Sequence, residues 1–153
     1  MPFDRHLLEA KLALNLIASG DMPAIAWDAL EAGLDGVATR RLAALEHPTY
    51  FEVAEVLPLV LQELELSQIR VQEAAQRMAE HVARDILQRR SDPLQHIREL
   101  ETMWIRADYA PELAALGILD DEVSVARTLG QPETEIRKWV TSTLEEFCSK
   151  PKT

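Results

Sequence analysis

The sequence predicts an all-α protein, a single-domain irregular bundle of about seven to nine helices joined by short Gly, Asp and Pro turns. Three observations carry this. Four of the five glycines (Gly20, Gly33, Gly117, Gly130) are followed within three residues by an Asp or Pro. Glycine suits the left-handed position just past a helix end, and Asp or Pro suits the next helix start. Apolar residues recur at helical spacing, as in Val71, Ala75, Met78, Val82 and Ile86. Alternating β-branched runs, the mark of strands, are missing.

The first helix is expected over residues 4–19, with Leu7, Leu8, Leu12, Leu14, Leu16 and Ile17 spread around it. A helix apolar on several sides has neighbours on more than one face. A short helix over 23–32 should turn Trp27 and Leu30 inward, and another over 36–45 ends before His47 and Pro48. Thr49 and Glu52 form a capping box for the next helix, which carries Phe51, Val53, Val56, Leu57, Val60, Leu61 and Leu64. Pro58 deletes one backbone bond there and should kink the helix near Ala54.

Ser67 is placed to cap the longest helix, over 68–90. Its outer face has Glu73 and Arg77, then Glu80 and Arg84, at the stabilising i,i+4 spacing. Asp92 and Pro93 start a helix to residue 106, with short helices over 111–116 and 120–129. The last helix, 132–148, should bury Ile136, Trp139, Val140, Leu144 and Phe147. The single domain then covers 1–148, in loose halves 1–66 and 67–148, with a frayed tail at 149–153.

At 153 residues the chain can bury one core without disulfides or metal, and its single cysteine, Cys148, excludes an internal disulfide. No apolar run reaches the roughly 18 to 20 residues of a membrane span. The first residues do not read as a signal peptide, so the expected compartment is the cytoplasm.

Charge is the informative bias. Asp and Glu total 26 against 16 Lys and Arg, a formal net charge of −10. Between Arg41 and Arg70 no Lys or Arg offsets Glu46, Glu52, Glu55, Glu63 and Glu65. Between Arg106 and Arg127 the same holds for Asp108, Glu112, Asp120, Asp121 and Glu122. Such segments repel nucleic acid and anionic membranes and attract basic partners. Trp104 and Tyr109 flank the second segment, and an exposed aromatic pair beside negative charge has the composition of an interface hot spot. The candidate partner-binding residues are therefore Glu52, Glu55, Glu63, Glu65, Trp104, Asp108, Tyr109, Asp120, Asp121 and Glu122. Acids at a helix start such as Asp120–Asp121–Glu122 also complement the macrodipole.

Catalytic chemistry finds no motif. The chain has no Gly-rich phosphate loop, no nucleophile elbow and no cysteine pair for zinc. His6 with Glu9, His81 with Asp85, and His96 with Glu99 could each place imidazole and carboxylate on one helix face. None makes a complete metal motif, and surface salt links are the favoured account of all three. No cofactor or metal is implied.

The run from Ala29 to Leu45, with Gly33, Asp35, Ala38, Arg40, Leu42, Ala43 and Leu45 in matching places, resembles a segment of a group of small uncharacterised bacterial all-helical proteins. Gly36, Val37 and Thr39 stand where that group has Ser, Pro and Leu. Asp92–Pro93 followed by Met103–Trp104 is similar to the group's second half. The resemblance implies an all-helical fold and brings no catalytic residues. Size, acidity and helical build are also similar to immunity proteins, which neutralise bacterial toxins through acidic surfaces. The expected function is an acidic protein–protein interaction module, an immunity-type inhibitor among its forms, that binds a basic protein. The alternatives are a self-associating helical scaffold or regulatory subunit and, more remotely, a metal-dependent enzyme.

Overall fold

The computed structural model describes residues 3–150, and it is all-α, with no strand among them. The chain divides into two compact units, Met1–Ile69 and Arg70–Thr153.

In the first unit, α1 (Arg5–Ala13) begins at Asp4, whose carboxylate accepts from the Leu7 N–H at 3.0 Å. It stops well short of residue 19. Asn15 takes the left-handed conformation at φ 55°, and the Asn15 and Leu16 N–H groups donate back to Leu12 O and Lys11 O. That is a Schellman closure, in which the first residue past the helix turns left-handed so that free carbonyls gain donors. Asparagine tolerates it almost as glycine does.

A 3₁₀ turn at Ser19–Asp21 leads into α2 (Met22–Glu31). Here Trp27 points outward, 56 % exposed, against the inward position expected. The buried stripe is Met22, Ala26 and Ala29, at i, i+4 and i+7. Trp27 lies about 100° further round the helix from Ala26. Beyond the left-handed Gly33, α3 (Val37–Ala43) buries Ala38, Thr39, Leu42 and Ala43.

The capping box of α4 (Tyr50–Glu63) is present in both directions at 3.2 Å, and the helix runs through Pro58. Val53, Val56, Val60 and Leu64 close a core with the small residues of α2 and α3. Two links tie α1 to the far end of α4: Arg5 Nε donates to Leu64 O at 3.1 Å, and the Ser67 N–H donates to Glu9.

The second unit opens with α5 (Val71–Arg89). Its N-cap is Arg70, without a side-chain bond, so Ser67 is not its cap. The inward face is broader than the expected stripe: Ala74, Ala75, Met78, Ala79, Val82, Ala83 and Ile86 are buried, and Val71 is exposed. Four of those seven are alanine, and small side chains let neighbouring helices approach closely. Arg77 pairs with Glu73 at 3.0 Å, as the spacing predicts, and Arg89 with Asp85 at 2.9 Å.

Asp92 caps a 3₁₀ turn at Pro93–Gln95 by accepting from the Leu94 N–H at 3.0 Å, and α6 (Ile97–Arg106) follows. A second 3₁₀ turn at Pro111–Leu113 runs into α7 (Ala114–Gly117), then α8 (Leu119–Thr128). Gly117 is the last residue of α7 but does not take the left-handed conformation of Gly33 and Gly130. It is buried, and a β-carbon there would lie 2.2 Å from the Trp104 ring. The last helix, α9 (Glu133–Ser149), buries Ile136, Val140 and Leu144 and leaves Trp139 and Phe147 half-buried. It takes in Ser149, the first residue of the expected frayed tail; residues 151–153 lie outside the described ones. No helix among the described residues is long and apolar enough to cross a membrane.

Candidate functional site

The first acidic segment belongs wholly to the first unit, and most of its carboxylates have local work. Glu52 is held by the capping box. Glu63 turns inward to the start of α3: Oε1 accepts from the Ala38 N–H at 2.6 Å, and Oε2 accepts from the Thr39 N–H and hydroxyl, both at 2.9 Å. Three donors that would otherwise lack partners are thereby satisfied, the Thr39 pair belonging to a residue with no exposed surface. Gly36 makes the approach possible, since a β-carbon there would lie 2.1 Å from a Glu63 oxygen. Burial alone would raise the Glu63 pKa, but the Thr39 and Ala38 donors outweigh it and hold the carboxyl below the usual glutamate value.

Glu65 stands at φ 54°, in the left-handed position that closes α4: its N–H donates to Gln62 O and the Leu66 N–H to Leu61 O. Glu46 and Glu55 remain exposed. Beside them α4 shows Tyr50 and Phe51 to solvent, the latter 81 % exposed, with the two rings edge to face. On the same unit, a groove of about 830 Å³ runs between Leu12, Leu16 and Ile17 on one side and Tyr50, Leu57 and Leu61 on the other.

The second acidic segment is disposed differently. Asp108 closes α6 in the same left-handed way as Glu65, at φ 57°. Tyr109 follows, also at φ 57°, and its ring meets Trp104 edge to face at 5.1 Å. Trp104 is half-buried over Gly117, with Nε1 donating to Ala110 O at 3.2 Å, while Tyr109 is 57 % exposed. The pair thus has one anchored member and one free to touch a partner.

On the first turn of α8, Asp120 and Asp121 meet Glu101 of α6, with carboxylate oxygens of all three within 4.8 Å of one another. Such a group can face a cation, whether a metal ion or a basic side chain. Arg98 Nε reaches only 4.0 Å from Asp120, on a side chain that is almost fully exposed. Asp121 and Glu122 are exposed and have no ion-pair partner among the described residues.

Further along α8 comes a feature with no counterpart in the sequence reading. Val125 and Leu129 are 58 % and 78 % exposed. With Ala126, Gln131 and the half-buried Trp139 they line a shallow trough of about 380 Å³ that has Asp121 and Glu122 at one end. Glu101, Val125, Leu129 and Trp139 thus join the site. The available signal was the i,i+4 pair Val125 and Leu129 in a helix whose inward stripe is already supplied by Leu119, Val123 and Ala126.

The remaining candidates stand apart. His96 Nδ1 lies 3.5 Å from Glu99, a surface pair. Cys148 is half-buried in a cleft of about 470 Å³ with Glu80, Arg84 and Glu146. Burial pushes its thiol pKa up, and the neighbouring Arg84 only partly opposes that, which disfavours the reactive thiolate. Comparison with protein families, curated proteins and solved structures gives no match for this chain.

Proposed function

We propose that this chain is an acidic helical interaction module that binds a basic protein partner, and that the second unit carries the contact. One observation supports this above the rest: Asp121 and Glu122 are exposed and without ion pairs among the described residues, beside the exposed apolar Val125 and Leu129. Negative charge steers a basic partner in, and adjoining apolar surface gives the complex its lifetime. An immunity-type inhibitor is the finer form of this reading.

Affinity capture from the native cell tests it, at low and high salt, with Asp121→Asn/Glu122→Gln as the control chain. A basic protein retained by the native chain at low salt, and released by salt or by the double substitution, is the expected result. A partner held equally under every condition would remove the electrostatic argument. For the immunity-type form, co-expression should relieve the toxicity of that partner.

A second reading, a self-associating scaffold, is favoured by the exposed Tyr50, Phe51 and Leu59 on α4. Exposed apolar surface of this kind marks interaction sites. Sedimentation of the full chain decides it, because a mass of one chain that does not change with concentration sinks it.

A further inference from the structure

We infer that the element recognised by the second unit is an amphipathic helix of the partner, with an apolar stripe and a Lys or Arg about one turn beyond it, lying along the trough between α8 and α9. The inference rests on the basic-partner reading above and specifies its contact.

The trough's shape selects a helix. Asp121, Val125 and Leu129 follow one another at i, i+4 and i+8, so they form a straight ridge about 12 Å long at 1.5 Å rise per residue. The surface beside it is shallow, with Ala126 set low between Val125 and Leu129. Trp139 supplies the far wall, and its Nε1–H is spent on Gln131 Oε1 at 3.1 Å, so the indole presents carbon rather than a free donor. An open apolar trough of two turns fits the convex flank of a helix whose anchors recur at i, i+3 or i+4, and i+7.

Charge selects the partner's sign and register. The acids that line the trough, Asp121 and Glu122, belong to the first turn of α8. At the other end Arg127 is already engaged by Glu133, through two bonds of 2.7 and 3.3 Å. Asp121 is crowded by Glu101 and Asp120, and a cation brought alongside relieves that like-charge repulsion. A basic residue therefore belongs at the Asp121 end and apolar residues over Val125 and Leu129.

The test titrates the isotope-labelled full chain with three synthetic helical peptides of equal length, followed by amide NMR shifts. One carries a Leu stripe with Lys one turn beyond, the second has Glu for each Lys, and the third has Ser for each Leu. The first should shift amides of α8 and of the Trp139 turn of α9, and the other two should bind ~10-fold more weakly or worse. Leu129→Ser should weaken the first peptide ~10-fold, and Asp121→Asn/Glu122→Gln about 5-fold at low salt with a flatter salt dependence. These three side chains are exposed, so the variants keep the fold, which matching thermal melts verify.

Equal binding of the acidic peptide, or an unchanged affinity in Leu129→Ser, overturns the inference. So does no binding of the basic amphipathic peptide. Salt-sensitive binding of that peptide mapped to other acidic surface overturns the trough while leaving the basic-partner reading intact. The capture experiment judges that broader reading separately.

Discussion

Two segments without a base, 46–65 and 108–122, have nearly the same charge and put it to different use. In the first unit Glu63 and Glu52 are drawn into backbone caps, and Glu65 closes a helix. In the second unit Asp120, Asp121 and Glu122 gather on one helical turn, where Arg98 comes to 4.0 Å from Asp120 and no ion pair among the described residues holds Asp121 or Glu122. A carboxylate count is therefore a poor measure of available field. What matters is how many carboxylates the backbone has already claimed.

That contrast can be broken at several points. The largest effect should come from Gly117→Ala. The added methyl meets the Trp104 ring at 2.2 to 2.4 Å, and the ring is fixed by Ala110 and Tyr109. Overpacking of this kind costs about 2 to 3 kcal/mol, read from urea unfolding of the full chain. A smaller loss than that caused by Glu63→Ala would mean that the Trp104 anchor yields readily.

Glu63→Ala comes next, at about 2 kcal/mol, because it strands two backbone donors and the buried Thr39 hydroxyl. If stability does not change, the carboxylates of the first unit are not internally engaged and the contrast fails.

Acid should reproduce part of that loss. The Glu63 pKa is lower in the folded chain than the ordinary 4.5, so its stabilisation is complete above about 4.5. It then fades as pH falls through 4.5 toward the depressed folded value. The stability difference between the native chain and Glu63→Gln, followed from pH 7 downward, should shrink across that window. A difference that stays flat across it would exclude Glu63 as the group responsible.

The smallest effect on stability belongs to the second segment. Asp121→Asn/Glu122→Gln should shift unfolding by no more than about 0.5 kcal/mol, since both side chains are exposed and have no ion pair among the described residues. The same change should weaken binding of a basic partner. Substantial destabilisation would show that these acids serve α8 itself through its macrodipole.

Legibility followed the range of the interaction. The all-α class, the Thr49–Glu52 box and the Glu73–Arg77 pair each depend on residues within a turn or so, and periodicity or capping patterns display them. The direction of Trp27 does not, because Met22 and the two small residues Ala26 and Ala29 set the inward face of α2 and leave the indole outside. The helix end before Asn15 escaped because only glycine announces a left-handed closure, and this asparagine adopts one without it. The Glu63 cap spans 24 residues and has no local signature. For the candidate site, the acids of α8 were legible as charge, but the trough was not. It needs Trp139, brought over from α9 by folding.

Gly36 has a consequence for how this chain can change over generations. Its missing side chain is the seat of the Glu63 carboxylate, so a methyl at 36 and a carboxylate at 63 compete for one volume. Replacing Gly36 evicts Glu63, and replacing Glu63 removes the reason for a glycine. Relatives of this chain should therefore keep both residues or have exchanged both.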